Sequence, residues 1–194
     1  MRKAEIIRKT KETDIGIKID LDGSGKYNIN SGIGFFDHML SALSRHSLID
    51  IDIYCKGDLE VDGHHTVEDI GIALGQAFRQ AIGDKKGICR YGFFILPMDE
   101  ACVECALDFS GRGVLVYNIP TESGMVGDYD ISLTEEFMRA FAMTGGINIY
   151  FGYKSGKNSH HIIEATFKAL AKSLRMAVSF DAKDDSIPST KGMI

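Results

Sequence analysis

Two copies of the phrase His-His-x-x-Glu stand half a chain apart, at His64-His65-Thr66-Val67-Glu68 and His160-His161-Ile162-Ile163-Glu164. They are 96 residues apart (160 − 64) in a chain of 194, and they use four of its six histidines. Neutral imidazole with carboxylate is a ligand set for divalent metals. On a helix opening at His64, Val67, Ile70, Leu74, Ala77 and Phe78 form one apolar stripe, and His64, His65 and Glu68 cluster off it. The second phrase repeats the plan, with Ile163, Phe167, Leu170 and Leu174 as the stripe and His160, His161, Glu164 and Lys168 on another face. Neighbouring helical side chains point about 100° apart, so one ion is rarely gripped by both histidines of a pair. The reading is a two-metal site to which both phrases lend ligands, with a subunit boundary as one place for such sharing. A single phrase would read as a solvated or helix-capping pair; two at matched positions argue against that. The order of residues is not the His-Glu-x-x-His of zinc peptidases.

The elements that must position these residues are themselves repeated. Residues 11–25 can be laid on 99–113 at an offset of 88, where Glu12 meets Glu100, Asp20 meets Asp108, Gly23 meets Gly111 and Gly25 meets Gly113. The offset grows to 96 at the His-His phrases, which implies a net insertion of 8 residues in the second half. Ile15, Ile17, Ile19 and Leu21 alternate with polar residues as in a half-buried strand, and Leu48 to Ile53 alternates again. Phe36 to Leu43 reads as helix. Its counterpart is Glu135 to Met143, followed by a strand at Ile147 to Phe151. The expected class is α+β, internally duplicated, each half a mixed β-sheet packed by helices on one face. The halves are 1–92 and 93–194, together one compact unit. The tail from Asp181 to Ile194 is polar and reads as irregular.

Composition narrows the function classes. A net charge of −5 and a pI near 5.7 argue against a nucleic-acid surface. No apolar run reaches the roughly 18 residues of a membrane span. The opening Met1-Arg2-Lys3-Ala4-Glu5 lacks the apolar run of a secretory signal, so a cytoplasmic location is expected. Cys102 and Cys105 have C-x-x-C spacing, but they fall in a strand reading from Ala101 to Phe109. Residues three apart on a strand face opposite sides, so all four cysteines read as plain thiols of a reducing compartment.

Taken together, Gly34-Phe35-Phe36-Asp37-His38-Met39-Leu40, the first His-His phrase with Asp69, Arg90-Tyr91-Gly92, Met98-Asp99-Glu100-Ala101, Ser110-Gly111-Arg112, the second phrase through Lys168, and Pro188-Ser189-Thr190-Lys191-Gly192 resemble imidazoleglycerol-phosphate dehydratase. The resemblance covers nearly the whole chain in order. It implies a hydro-lyase of histidine biosynthesis that removes water from imidazole glycerol phosphate to give imidazole acetol phosphate. It implies two manganese ions per active site, and a homo-oligomer of 24 subunits with active sites between subunits. By the same resemblance the metal ligands are His38, His64, His65, Glu68, His160, His161 and Glu164. Arg90, Arg112, Lys168, Ser189 and Lys191, with His46 near the same end, bind the substrate, and Glu12 is the acid facing it. One position departs: the family usually places a histidine ligand where this chain has Tyr150. Either a metal keeps an extra water there, or the phenol oxygen coordinates. An alternative reading follows, a metal-binding paralogue whose activity is reduced or lost.

The chemistry fits the residue types. Imidazole bound to a divalent cation is easier to deprotonate, because the cation stabilises the anion. A carboxylate must move protons nearby, and Glu12 is the candidate catalytic residue. The phosphate end needs fixed cations, and Lys168 lies one turn beyond Glu164 on the same helix face. The Gly and Ser residues beside Lys191 suit a tail that closes over substrate.

Overall fold

The computed structural model describes residues 2–120 and 124–194. The first half runs β1 (Lys3–Lys9), β2 (Thr13–Asp20), β3 (Tyr27–Asn30), α1 (Gly34–Ser47), β4 (Asp50–Gly57) and α2 (His64–Ile82). The second runs β5 (Tyr91–Met98), β6 (Ala101–Asp108), β7 (Val114–Asn118), a short hairpin β8 (Met125–Val126) and β9 (Tyr129–Asp130), α3 (Leu133–Gly145), β10 (Asn148–Ser155) and α4 (Ser159–Val178). The two large sheets have the same order, β1-β2-β4-β3 and β5-β6-β10-β7, with the last pair parallel and the others antiparallel. This is the duplicated α+β fold with mixed sheets that the repeat predicts.

Alternation explains which face each sheet buries. Ile15, Ile17 and Ile19 of β2 and Val103, Cys105 and Leu107 of β6 point inward at matched positions. Each fully buried side chain of this size contributes up to about 1.5–3 kcal/mol. Helix α2 packs on β1 and β2, and α4 packs on β5 and β6. The helices then meet across the repeat, α2 against α3 and α1 against α4. The result is four layers, sheet, helices, helices, sheet, with the outer face of each sheet uncovered. Phe36, Phe137, Phe141 and Phe167 are fully buried where the helices meet.

The insertion has an address. The offset is 88 between β2 and β6, rises to 98 between β4 and β10 (148 − 50), and falls to 96 at the histidines. The hairpin β8–β9 lies in the segment where residues are gained, between β7 and α3, and the shorter loop after β10 returns two of them. Cys102 is half-buried and Cys105 buried on opposite faces of β6, and all four cysteines are free thiols. Burial pushes the Cys105 thiol up to about 12. The tail after Phe180 carries no helix or strand, as expected. No described helix is long and apolar enough to cross a membrane.

Candidate metal centre

Both His-His phrases open helices. In α4, Asn158 caps the first turn by accepting the N–H groups of His160 and His161. In α2, Asp62 accepts the N–H of His64 at 2.7 Å. These side chains fix the helix starts, so the imidazoles project from rigid backbone rather than from a loop.

The two phrases then follow one rule. The first histidine of each pair faces the glutamate one turn on: His160 Nε2 lies 3.1 Å from Glu164 Oε2, and His64 Nε2 lies 3.6 Å from Glu68 Oε2. The second histidine turns to carboxylates from the preceding loops. His161 Nδ1 is 2.7 Å from Glu100 Oε2, with Asp99 3.7 Å from its Nε2. His65 Nδ1 is 3.0 Å from Asp58 Oδ2, with Glu12 Oε1 3.9 Å from its Nε2. Asp58 and Glu100 hold protons on their histidines above the ordinary value, chiefly by hydrogen bonding, and His161 in turn pulls Glu100 down to about 2. A carboxylate on the far nitrogen of an imidazole fixes its orientation and raises its basicity as a ligand.

One cluster is assembled from both halves. Because α1 packs on α4, His38 Nε2 comes within 3.3 Å of Glu164 Oε2, beside His160. The ligand atoms of His38, His160 and Glu164 all lie within 4.8 Å of one another. Neighbouring donors around an octahedral cation, with bonds of about 2.1 Å, sit about 3 Å apart, and the two contacts to Glu164 match that spacing. The donor set of two imidazoles and a carboxylate suits a first-row divalent ion. Phe35 stands edge-on to His160 at 5.0 Å and walls the cluster. Glu164 is only 7% exposed. Burial alone would raise its carboxyl, but Lys168, with Nζ 2.6 Å from Oε1, and the two imidazoles outweigh it and hold it below the ordinary range. His46 is held below its ordinary value, first by burial and then by the charges of Lys168 and Lys172.

The remaining expected site residues lie elsewhere on the chain. Arg90 grips Asp108 through Nε and Nη2 and donates from Nη1 to the Pro188 carbonyl at 2.7 Å, which seats the tail carrying Ser189 and Lys191. Its backbone N–H bonds Ala177, near the end of α4, whereas His160 stands at the start of that helix. Seventeen helical residues span about 25 Å. Arg90 and Ser189 therefore stand far from the His38–His160–Glu164 cluster of their own chain. Arg112 is exposed beyond the Ser110–Gly111 turn, where Ser110 Oγ accepts its N–H. Tyr150 points from the outer face of β10, with its hydroxyl 3.4 Å from Glu104, and does not join the cluster.

Comparison with known proteins decides the lineage. A family profile described as imidazoleglycerol-phosphate dehydratase matches residues 31–174. The imidazoleglycerol-phosphate dehydratase of Cereibacter sphaeroides is 58% identical over the full length of both chains, and that of Caldanaerobacter subterraneus is 54% identical, again over the full length of both. The chain belongs to the imidazoleglycerol-phosphate dehydratase family. It is thereby an enzyme of the hydro-lyase class. The crystal structure of the dehydratase from Staphylococcus aureus is 36% identical, with a TM-score of 0.84 over 92% of this chain and 99% of that one. The Pyrococcus furiosus dehydratase, solved in complex with (S)-C348, is 35% identical, with the same TM-score over 97% of this chain and all of that one.

For a dehydratase of this family, the sequence reading left three residues without a role. Asp58, Asp99 and Glu100 flank the second histidine of each pair. Glu100 had a signal, since it is the repeat counterpart of Glu12. Asp58 had none, because it has no acidic partner in the other half.

Proposed function

We propose that this chain catalyses the manganese-dependent dehydration of imidazole glycerol phosphate to imidazole acetol phosphate, as a step of histidine biosynthesis in the cytoplasm. The observation that carries the reading is the buried Glu164 carboxylate with His38 and His160 around it, contributed by both halves. On this reading His38, His64, His65, Glu68, His160, His161 and Glu164 hold two ions per active site. Ions held there would supply Lewis-acid stabilisation of negative charge on the substrate's imidazole. The chain's own groups do the rest. Lys168, on the face of α4 that carries Glu164, and His46 receive the phosphorylated end of the substrate. Arg90, Arg112, Ser189 and Lys191 clamp the phosphate. Glu12, beside His65, moves the proton.

We read the active sites as lying between subunits of a homo-oligomer of 24 copies. Two observations support this. Arg90, read as binding phosphate, stands about 25 Å along α4 from the cluster of its own chain, and His64 and Glu68 lie half-exposed at the start of α2. We also read the chain as two repeat halves, 1–92 and 93–194, that form one compact unit through the helix pairs crossing between them.

The test is loss of imidazole glycerol phosphate by purified protein loaded with manganese. Turnover retained after exhaustive metal removal would sink the reading. The position of Tyr150, away from the His38 cluster, gives the decayed-paralogue reading its own check. A wild-type protein without turnover, whose Tyr150→His variant turns over, would establish it.

A further inference from the structure

The two halves, matched by their offsets, differ in kind beneath the Glu12 turn. At the offsets that align the strands and helices, Arg8 corresponds to Leu96, Thr13 to Ala101 and Asp69 to Ala165. In the first half these residues form a polar triad in which Thr13 and Asp69 are buried and Arg8 is half-buried. Arg8 Nε and Nη2 donate to Asp69 Oδ1 at 3.0 and 2.7 Å, and the Thr13 hydroxyl donates to Asp69 Oδ2 at 2.5 Å. Asp69 is 6% exposed and Thr13 3%. In the second half Leu96, Ala101 and Ala165 are buried and apolar. The same packing therefore accepts an apolar set, and a buried ion pair is weak evidence for stability when apolar residues fill the same volume.

What coincides with the triad is the state of the repeated glutamate. Glu100 is spent as a structural group: it accepts from His161 Nδ1 and from the backbone N–H groups of Lys157 and Asn158. Its counterpart Glu12 keeps its carboxylate 3.9 Å from His65 Nε2, and Asp58 takes the His65 Nδ1 contact instead. A ring of bonds holds that arrangement. Asp69, one turn beyond His65 on α2, binds Thr13. Thr10 Oγ1 accepts the N–H groups of Glu12 and Thr13, and the Glu12 carbonyl accepts the N–H of Asp58.

We propose that Asp69, with Arg8 and Thr13, is a positioning device that ties the Glu12 turn to the start of α2 and keeps the Glu12 carboxylate free for proton transfer. The hydrogen bonds of Asp69 go to Arg8 and Thr13 and to none of the histidine rings; the triad acts through Glu12. The inference rests on the dehydratase reading for its kinetic arm and on geometry alone for its structural arm.

The test copies the second half into the first. The triple variant Arg8→Leu/Thr13→Ala/Asp69→Ala should fold and melt no lower than wild type. Its kcat should fall by about a hundredfold, the cost of a misplacement of about 1 Å, with KM within about threefold. Its crystal structure should show Glu12 displaced from His65. The near-isosteric Thr13→Val removes only the hydroxyl link and should lower kcat by about tenfold. Unchanged kcat in the triple variant overturns the proposal, and so does failure of that variant to fold, because an apolar set is held to be compatible with this packing. If wild-type protein shows no turnover, the dehydratase reading fails instead. The crystal structure then decides the positioning role, and an unmoved Glu12 overturns it.

Discussion

At the scale of single residues, the Glu164 carboxylate is the most consequential group, because it is buried and contacts two imidazoles and Lys168. Glu164→Gln keeps the shape but removes the charge, and leaves the half-buried Lys168 beside a neutral amide. The expected outcome is loss of turnover by about two orders of magnitude or more, with weakened manganese binding by calorimetric titration and a fold unchanged by circular dichroism. A pH dependence follows from His65 and His161. Hydrogen bonds donated to the Asp58 and Glu100 carboxylates raise both above the ordinary value of about 6.5. A ligand imidazole must be neutral, so protons compete with the metal. Manganese affinity should therefore fall as pH is lowered, and the fall should already be under way above about pH 6.5. Titrations at stepped pH that return one constant affinity would contradict this. The two His-His phrases stood out as candidate ligands from their types and spacing, whereas His38 entered only through the family resemblance. Which carboxylates contact them was not: Asp99 reaches its ring only after a turn distant in sequence has folded back, and Asp58, seven residues before His65, has no acidic counterpart in the other half to mark it.

At the scale of elements, the repeat made most strands and helices readable. Strand β2, helix α1 and the start of α2 at His64 all fall where alternation and helical spacing put them. The parallel pairing of β3 with β4, and of β7 with β10, has no local signal, since it depends on a crossover through α1 or α3. The hairpin β8–β9 was hidden for a different reason. Its strands have two residues each, too few to show a period. Helix pairing between the halves leaves its own mark in small residues. A Cβ on Gly75 of α2 would stand 2.7 Å from the Phe141 carbonyl of α3, a backbone atom that cannot swing away. Gly75→Ala should destabilise the protein by about 1–3 kcal/mol, read as a lower midpoint in urea unfolding. An unchanged midpoint would mean that α2 and α3 pack less closely than described.

At the scale of the whole molecule, the layer order leaves two sheet faces uncovered. On the second sheet Tyr91, Phe93, Ile95, Val114, Val116 and Tyr150 all point outward, and Phe93 is 66% exposed. A contiguous apolar face of this kind marks an interaction surface, in keeping with the proposed assembly. Phe93→Asp should lower the mass measured by light scattering without unfolding the subunit, and an assembly of unchanged mass would exclude this face from the contacts. Nothing in the alternation of β5 announces the face's partner, because a strand pattern states which side is wet or dry within one chain only. The distance along α4 between the histidine end and the arginine end carries a genetic consequence. If each catalytic unit borrows its halves from different copies, Arg90→Ala and Glu164→Gln lesions fall on opposite contributors. Two defective proteins, unfolded and refolded as a mixture, would then regain part of the activity that neither has by itself, because some junctions in the mixed shell receive an intact arginine from one parent and an intact glutamate from the other.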